Sequence, residues 1–305
     1  MKLRSPFKNW SRESKQKAFT FTELLVVTLT IVLLALVFLP AHAASRPKSQ
    51  SVRCMDNLRQ IMSAIMMYTH DNRDLFPPNP DDGNAIPGHN WCPGIAAVGG
   101  VGQFNPDILA DPSLCLITTY INTNVSLFRC PSDLRVGIYQ GTDPAKLGTK
   151  VPAARSIAMN GAVGTCCSSW VNGGGHANGV PFVAVNGPWL DNNHTHIRNR
   201  PWRTYGKVSD TIIPGAARLW VIIEEDAYSI NDGVVAVGMN IAEWIDWPGT
   251  RHAMSCSVAF ADGHVELHKW VNPTTRLIGS ASRRSAGPDT TDWLWLTERT
   301  SARAQ

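Results

Sequence analysis

No Cys-x-x-Cys pair occurs among the seven cysteines of this 305-residue chain, which argues against a zinc ribbon or a thioredoxin-like redox motif. Glycine-rich nucleotide loops of the Walker A or GxGxxG kind are missing, and so is the Gly-x-Ser-x-Gly turn of a serine hydrolase. These gaps weigh against nucleotide-dependent and hydrolytic chemistry, and the chain is expected not to be an enzyme. Charge is sparse, at 17% of residues, and unevenly placed. Residues 1–18 hold six Lys or Arg against Glu13, a net of +5. The whole chain carries +4, so everything after residue 18 sums to −1. No basic run follows residue 18, and no nucleic-acid partner is expected. Internal repeats, low-complexity tracts and the spacing of an EF-hand loop are also lacking.

The most informative stretch that is present runs Lys17-Ala18-Phe19-Thr20-Phe21-Thr22-Glu23, followed by sixteen apolar or Thr residues, Leu24 to Leu39. A carboxylate at the head of an apolar helix costs about 2.5–3.5 kcal/mol on membrane-insertion scales, so its presence points to a use. Adding Phe19–Glu23 and Ala41–Ala44 to the run reaches the roughly 20 residues of a membrane span. Pro40 is expected to kink that helix. A second reading is a conventional secretory signal, with Ala41-His42-Ala43 as an A-x-A site cleaved before Ala44. The amphipathic continuation argues for a retained helix. Val52, Met55, Leu58, Met62, Ile65 and Met66 recur at three- and four-residue steps, and Phe76-Pro77-Pro78 ends the pattern.

The rest of the chain reads as short strands joined by long loops. Asp107–Thr119 is a possible helix. Arg218–Ile223 is a buried-strand run, and Glu224-Glu225-Asp226 reads as its end entering solvent. Consecutive strand residues face opposite ways, so Glu224 and Glu225 do not form the acid/base pair of a glycosidase. Residues 256–270 form a hairpin signal in which Asp262-Gly263 supplies the positive φ values of a type I′ turn. Residues 290–299 are a short helix or strand.

The stretch around Ala18 resembles the processing site of type IV prepilins and type II secretion pseudopilins, with Ala18 where Gly is usual. Three further segments resemble prepilin-like proteins abundant in planctomycetes. They are Cys54-Met55-Asp56-Asn57-Leu58-Arg59-Gln60-Ile61, Phe128-Arg129-Cys130-Pro131-Ser132-Asp133 and Val258-Ala259-Phe260-Ala261-Asp262-Gly263-His264-Val265-Glu266, and beside them stands an H-x9-D-G arrangement formed by His252, Asp262 and Gly263. The resemblance implies an α+β, pilin-like fold: a long N-terminal membrane helix packed on a C-terminal antiparallel β-rich domain with long loops. It divides the chain into a basic leader (1–18), a membrane and filament helix (19–44), an amphipathic continuation (45–75) and a periplasmic head (76–305) carrying the hairpin 252–270. A prepilin peptidase would cut after Ala18 and Phe19 would be N-methylated. Glu23 would pair with the amino terminus of a neighbouring subunit in a homo- or hetero-filament. The protein would sit once through the inner membrane, N-terminus cytoplasmic. A disulfide between Cys54 and Cys130 is expected on the same ground.

No cofactor is expected, but one metal reading comes from the residues and a second, calcium held by oxygen ligands in a C-terminal loop, is what the resemblance to type II pseudopilins implies. His252, Asp262 and His264, with the acidic run Glu224–Asp226, offer nitrogen and oxygen ligands for zinc or another divalent ion. Calcium could take Asp246, Asp262, Asp289 or Asp292. His194 and His196 lie two residues apart, on one face of an extended segment. The eleven Trp leave open a secreted or anchored protein that binds carbohydrate or metal instead.

Overall fold

The computed structural model describes residues 20–167, 182–279 and 282–304, excepting the side chains of residues 35–49 and of Cys167. The leader, and with it the processing residues Ala18 and Phe19, lies outside the described residues. The chain divides into two compact units, Met1–Arg46 and Pro47–Gln305.

Helix α1 (Phe21–Asp71) begins in the first unit and ends in the second. Its start is set by a reciprocal capping box. The Thr20 backbone N–H and hydroxyl donate to the Glu23 carboxylate at 2.8 and 2.7 Å, and the Glu23 N–H donates to the Thr20 hydroxyl at 3.3 Å. The backbone bond, followed by the hydroxyl bond, holds the Glu23 carboxyl below its ordinary range. Glu23, expected as a partner for another subunit's amine, is thus engaged locally as the third residue of the helix. The helix continues through Pro40.

Among the described residues no helix is long and apolar enough to cross a membrane. This overturns the expected membrane helix of a pilin-like fold, and with it the single-pass inner-membrane placement with a cytoplasmic N-terminus and periplasmic head. The reason is length and flanks. The run of sixteen apolar or Thr residues makes about 24 Å of helix, short of a hydrocarbon core of about 30 Å. Polar Thr20, Thr22 and Glu23 precede the run, and Arg46, Lys48 and Gln50 follow it.

In the second unit α1 turns amphipathic. Cys54, Leu58, Ile61, Met62 and Ile65 are fully buried at helical spacing, while Val52 and Met67 stay exposed. Arg73 and Asp74 are both left-handed, which stops the helix before Pro77-Pro78. The core is completed by a mixed five-stranded sheet. Its strands are β1 (Ile157–Asn160), β2 (Trp220–Glu224), β3 (Val234–Val235), β4 (Ser255–Phe260) and β5 (Val265–Lys269), in the spatial order β5-β4-β2-β1-β3. Only the β1–β3 pairing is parallel. Strand β2 is central and buried at every residue, which explains its unbroken apolar run Trp220–Ile223. Among the described residues there are also three separate two-stranded ribbons. Helix α2 (Thr291–Thr300) closes the unit: Trp220 donates its indole N–H to the Thr300 hydroxyl at 2.9 Å, and Trp295 stacks on His268 at 3.5 Å.

Two local expectations change. Asp107–Thr119 is not one helix but a single turn, Asp107–Ala110, followed by a 3-10 turn at Thr118–Ile121. The β4–β5 hairpin is present, with Val265 opposite Ala259, but its connection has three residues rather than two. The Gly263 N–H donates to the Phe260 carbonyl at 2.9 Å and the Phe260 N–H to the His264 carbonyl at 3.0 Å. Of Asp262 and Gly263 only Gly263 is left-handed, at φ +91°. Asp262 instead accepts the His264 N–H at 3.1 Å, fixing the turn through its side chain.

Candidate metal centre

Four side chains from four separate segments of the second unit converge. Cys54 comes from α1, Glu224 from the end of β2, Cys130 from the loop after the 3-10 turn Val125–Phe128, and His252 from the loop before β4. The two sulfurs, the His252 ring nitrogen and a Glu224 oxygen all lie within 4.8 Å of one another, and all four residues are buried. This cluster could hold a metal ion.

Local structure explains each placement. Cys54 lies on the buried stripe of α1, one turn before Leu58. The Cys130 backbone N–H donates to the Ser156 hydroxyl at 2.6 Å, tying its loop to the start of β1. His252 is held in a tight turn: its N–H donates to the Ser255 carbonyl at 3.2 Å, and Ala253 and Met254 are both left-handed. Glu224 accepts the Ser257 N–H from β4 at 3.2 Å.

Charge in the cluster is shared. The Cys54 thiol donates to Glu224, and His252 Nε2 lies 3.2 Å from the Cys130 sulfur and 3.3 Å from a Glu224 oxygen. Burial opposes the His252 charge, but Cys130 and Glu224 outweigh it and push the imidazole up to about 10. The bond from Cys54, against burial and with help from His252, pulls Cys130 down to about 6. Burial first, then Cys130 and Glu224, pushes Cys54 well above a thiol's usual range. Burial raises Glu224, yet His252 and Arg251 hold it below its ordinary value.

His252 is therefore the one member of the expected set His252, Asp262 and His264 that enters the cluster. Asp262 and His264 sit partly exposed at the β4–β5 turn, bonded to each other at 2.6 Å, with the His264 ring stacked on Phe260 at 4.2 Å. Sequence adjacency to Gly263 put them near a turn, not near the His252 side chain. Glu224 and Glu225 do not enter solvent as a strand end; both are fully buried, because β2 is flanked by β1 and β4. Cys54 and Cys130 are brought together as the segment matches suggested, but as thiols rather than a disulfide, their sulfurs engaged by Glu224 and His252. Calcium's oxygen-rich coordination does not fit a set containing two sulfurs. The acidic residues nominated for calcium are occupied separately: Asp292 accepts the backbone N–H groups of Val271 and Asn272, and Asp289 those of Thr291.

The two loop histidines do not form one site. Both line a cavity of about 510 Å³, but their ring nitrogens are engaged apart: His194 lies 3.2 Å from Asp81, and His196 Nδ1 lies 2.7 Å from the Asn186 carbonyl. Among the described residues Trp91, Trp220, Trp244, Trp247 and Trp270 are buried, while Trp189, Trp202, Trp293 and Trp295 are half-buried. Arg251 was not singled out from the sequence. Its adjacency to His252 in Arg251-His252 was the available signal.

Compared with known proteins, the chain matches no family model, no curated protein and no solved structure.

Proposed function

We propose that this chain is a non-enzymatic structural subunit of a pilin- or pseudopilin-like filament, of the type II secretion or type IV pilus kind. A prepilin peptidase would process it after Ala18, and its apolar helix would pack against the same helix of other subunits. One observation carries this reading. From Phe21 to Leu34 the helix exposes ten large apolar side chains around its whole circumference, with Leu25, Val32 and Leu34 each more than half exposed. A helix apolar all round is stable in water only when covered, and neighbouring copies would cover it in a filament. Glu23 is the single acidic residue of that stretch. Once Phe19 becomes the amino terminus, exchange of the Thr20 cap for a neighbour's amine would neutralise two charges inside the apolar bundle.

Intact mass and N-terminal sequence of the protein from its native cells test the reading. A methylated Phe19 start is expected; a start at Ala44 would sink it. Glu23→Gln separates the two uses of the carboxyl, because the amide oxygen retains the cap and loses the charge. Filament incorporation is expected to fall in Glu23→Gln with processing unchanged. Full incorporation would show that the pairing is not needed.

A further inference from the structure

We propose that Cys54, Cys130, Glu224 and His252 form a closed, four-coordinate zinc site that clasps the head of the protein. The inference is independent of the filament reading. It begins with donor chemistry. Two sulfurs, one imidazole nitrogen and one carboxylate oxygen are each established zinc ligands, and mixed sulfur–nitrogen sets favour zinc over calcium or magnesium. In tetrahedral zinc, bonds of about 2.0–2.3 Å put donor atoms within the 4.8 Å that spans this cluster. Burial of all four residues leaves no side open for an exchangeable water, as in structural rather than catalytic zinc sites.

Three further observations point the same way. The second Glu224 oxygen is buried without a hydrogen-bond partner. Both terminal nitrogens of Arg251 are buried and equally unpartnered, and Arg251 acts electrostatically on both Glu224 and Cys130. Binding needs both cysteines as thiolates and His252 neutral at Nε2, so any proton on these donor atoms leaves to solvent. Two thiolates, one carboxylate and neutral His252 then carry three negative charges against two on zinc. The Arg251 guanidinium balances the one that remains. Finally, the donors have their own supports: the Ser132 N–H lies 3.4 Å from the Cys130 sulfur, the Ser132 hydroxyl 3.5 Å from His252 Nδ1, and the Ser257 N–H donates to Glu224 at 3.2 Å. A hydroxyl at Nδ1 directs the Nε2 lone pair inward, the arrangement that orients metal-bound histidines.

The site's role follows from the sequence distances it bridges. Cys54 and Glu224 are 170 positions apart, and Cys130 and His252 are 122 apart. One ion would tie α1, the end of β2 and two long loops at a single point. In a loop-rich unit, that restrains segments that short strands hold weakly.

The test uses the full chain, purified under reducing conditions without chelator. Elemental analysis is expected to find stoichiometric zinc, and chelation should lower the melting temperature. Replacement of zinc by cobalt(II) in the wild-type chain should give a thiolate-to-metal charge-transfer band with the intense visible bands of a tetrahedral ion. His252→Ala and Cys130→Ser should lose most of the zinc, whereas Cys166→Ser should retain it. Because the cobalt spectrum needs no variant, a variant that fails to fold does not decide the matter. Zinc at a small fraction of stoichiometry together with no charge-transfer band overturns the proposal. So does a Cys54–Cys130 disulfide found by mass spectrometry in chain isolated without reductant and with free thiols blocked, or equal zinc loss from Cys166→Ser.

Discussion

Glu224 and Glu225 are consecutive, identical in chemistry and equally buried, yet their surroundings drive them in opposite directions. Glu224 faces His252, Arg251 and the Cys54 thiol, and these hold its charge in place despite burial. Glu225 faces away, towards Asp246 and Asp232. Burial and those carboxyls push it well above its ordinary range, against the weaker pull of Arg155 and the Ser229 hydroxyl at 2.9 Å. One peptide unit thus separates a charged group built into a donor cluster from a neutral acid packed among other acids. Burial alone says nothing about which of these a carboxyl becomes; the sign of its nearest charge does.

The largest test of this contrast is the pair of amide replacements. Glu224→Gln leaves His252 and Arg251 without their buried counter-charge and is expected to destabilise the unit by about 3–5 kcal/mol. Glu225→Gln replaces a neutral acid by a neutral amide of the same shape and should change stability by no more than about 1 kcal/mol. Urea midpoints of the two variants provide the comparison. Equal losses would break it.

A smaller effect is expected from pH. Burial, opposed by the Ala236 N–H, pushes Asp246 up to about 7, and burial and Asp81 raise Asp232 well above its ordinary value. A carboxyl with a raised folded-state value contributes stability that is full below its unfolded value near 3.8 and is lost as pH rises through the folded value. Stability should therefore decline between about pH 4 and pH 7 from this group. Asp246→Asn should flatten that slope in urea titrations at several pH values; an unchanged slope would remove the acidic cluster from the account.

The smallest effect sharpens the comparison from the side of a histidine. His268 stacks on Trp295, and burial, with a like-charge contribution from Arg299, pulls it down to about 4 although Asp292 opposes this. His252, in the loop before the first strand of the same hairpin, is pushed up. Lowering the pH from about 6.5 to about 4 should destabilise the unit through His268, because the unfolded state takes up the proton first. His268→Gln should shrink that part of the acid limb. If it does not, the ring stack is not what keeps the imidazole neutral.

Much of this unit was readable locally. The buried stripe Leu58–Ile65 follows from helical spacing, Trp220–Ile223 from an unbroken apolar run, and the β4–β5 hairpin from a glycine that alone tolerates φ +91°. The turn's length was not readable, since Asp262 uses its side chain rather than a left-handed backbone. Nor was the fate of the N-terminal helix. Its apolar run is plain, but whether sixteen such residues suffice for a span depends on the flanks, and these are polar.

For the candidate centre, the sequence by itself determined the kinds of donor and the local frames that hold them: a cysteine on an amphipathic helix, another before Pro131, a glutamate closing a strand, a histidine before two left-handed residues. Tertiary structure alone decided which donors meet. Asp262 and His264 are near His252 in the chain and excluded from the cluster, whereas Cys54 and Glu224 are 170 positions apart and bonded. The physical reason is that a strand order and a helix docking are set by burial summed over the whole unit, while a ligand set needs only four atoms at one point. Local pattern writes the residue types; the packing of β2 between its neighbours chooses Glu224 for the cluster and turns Glu225 away.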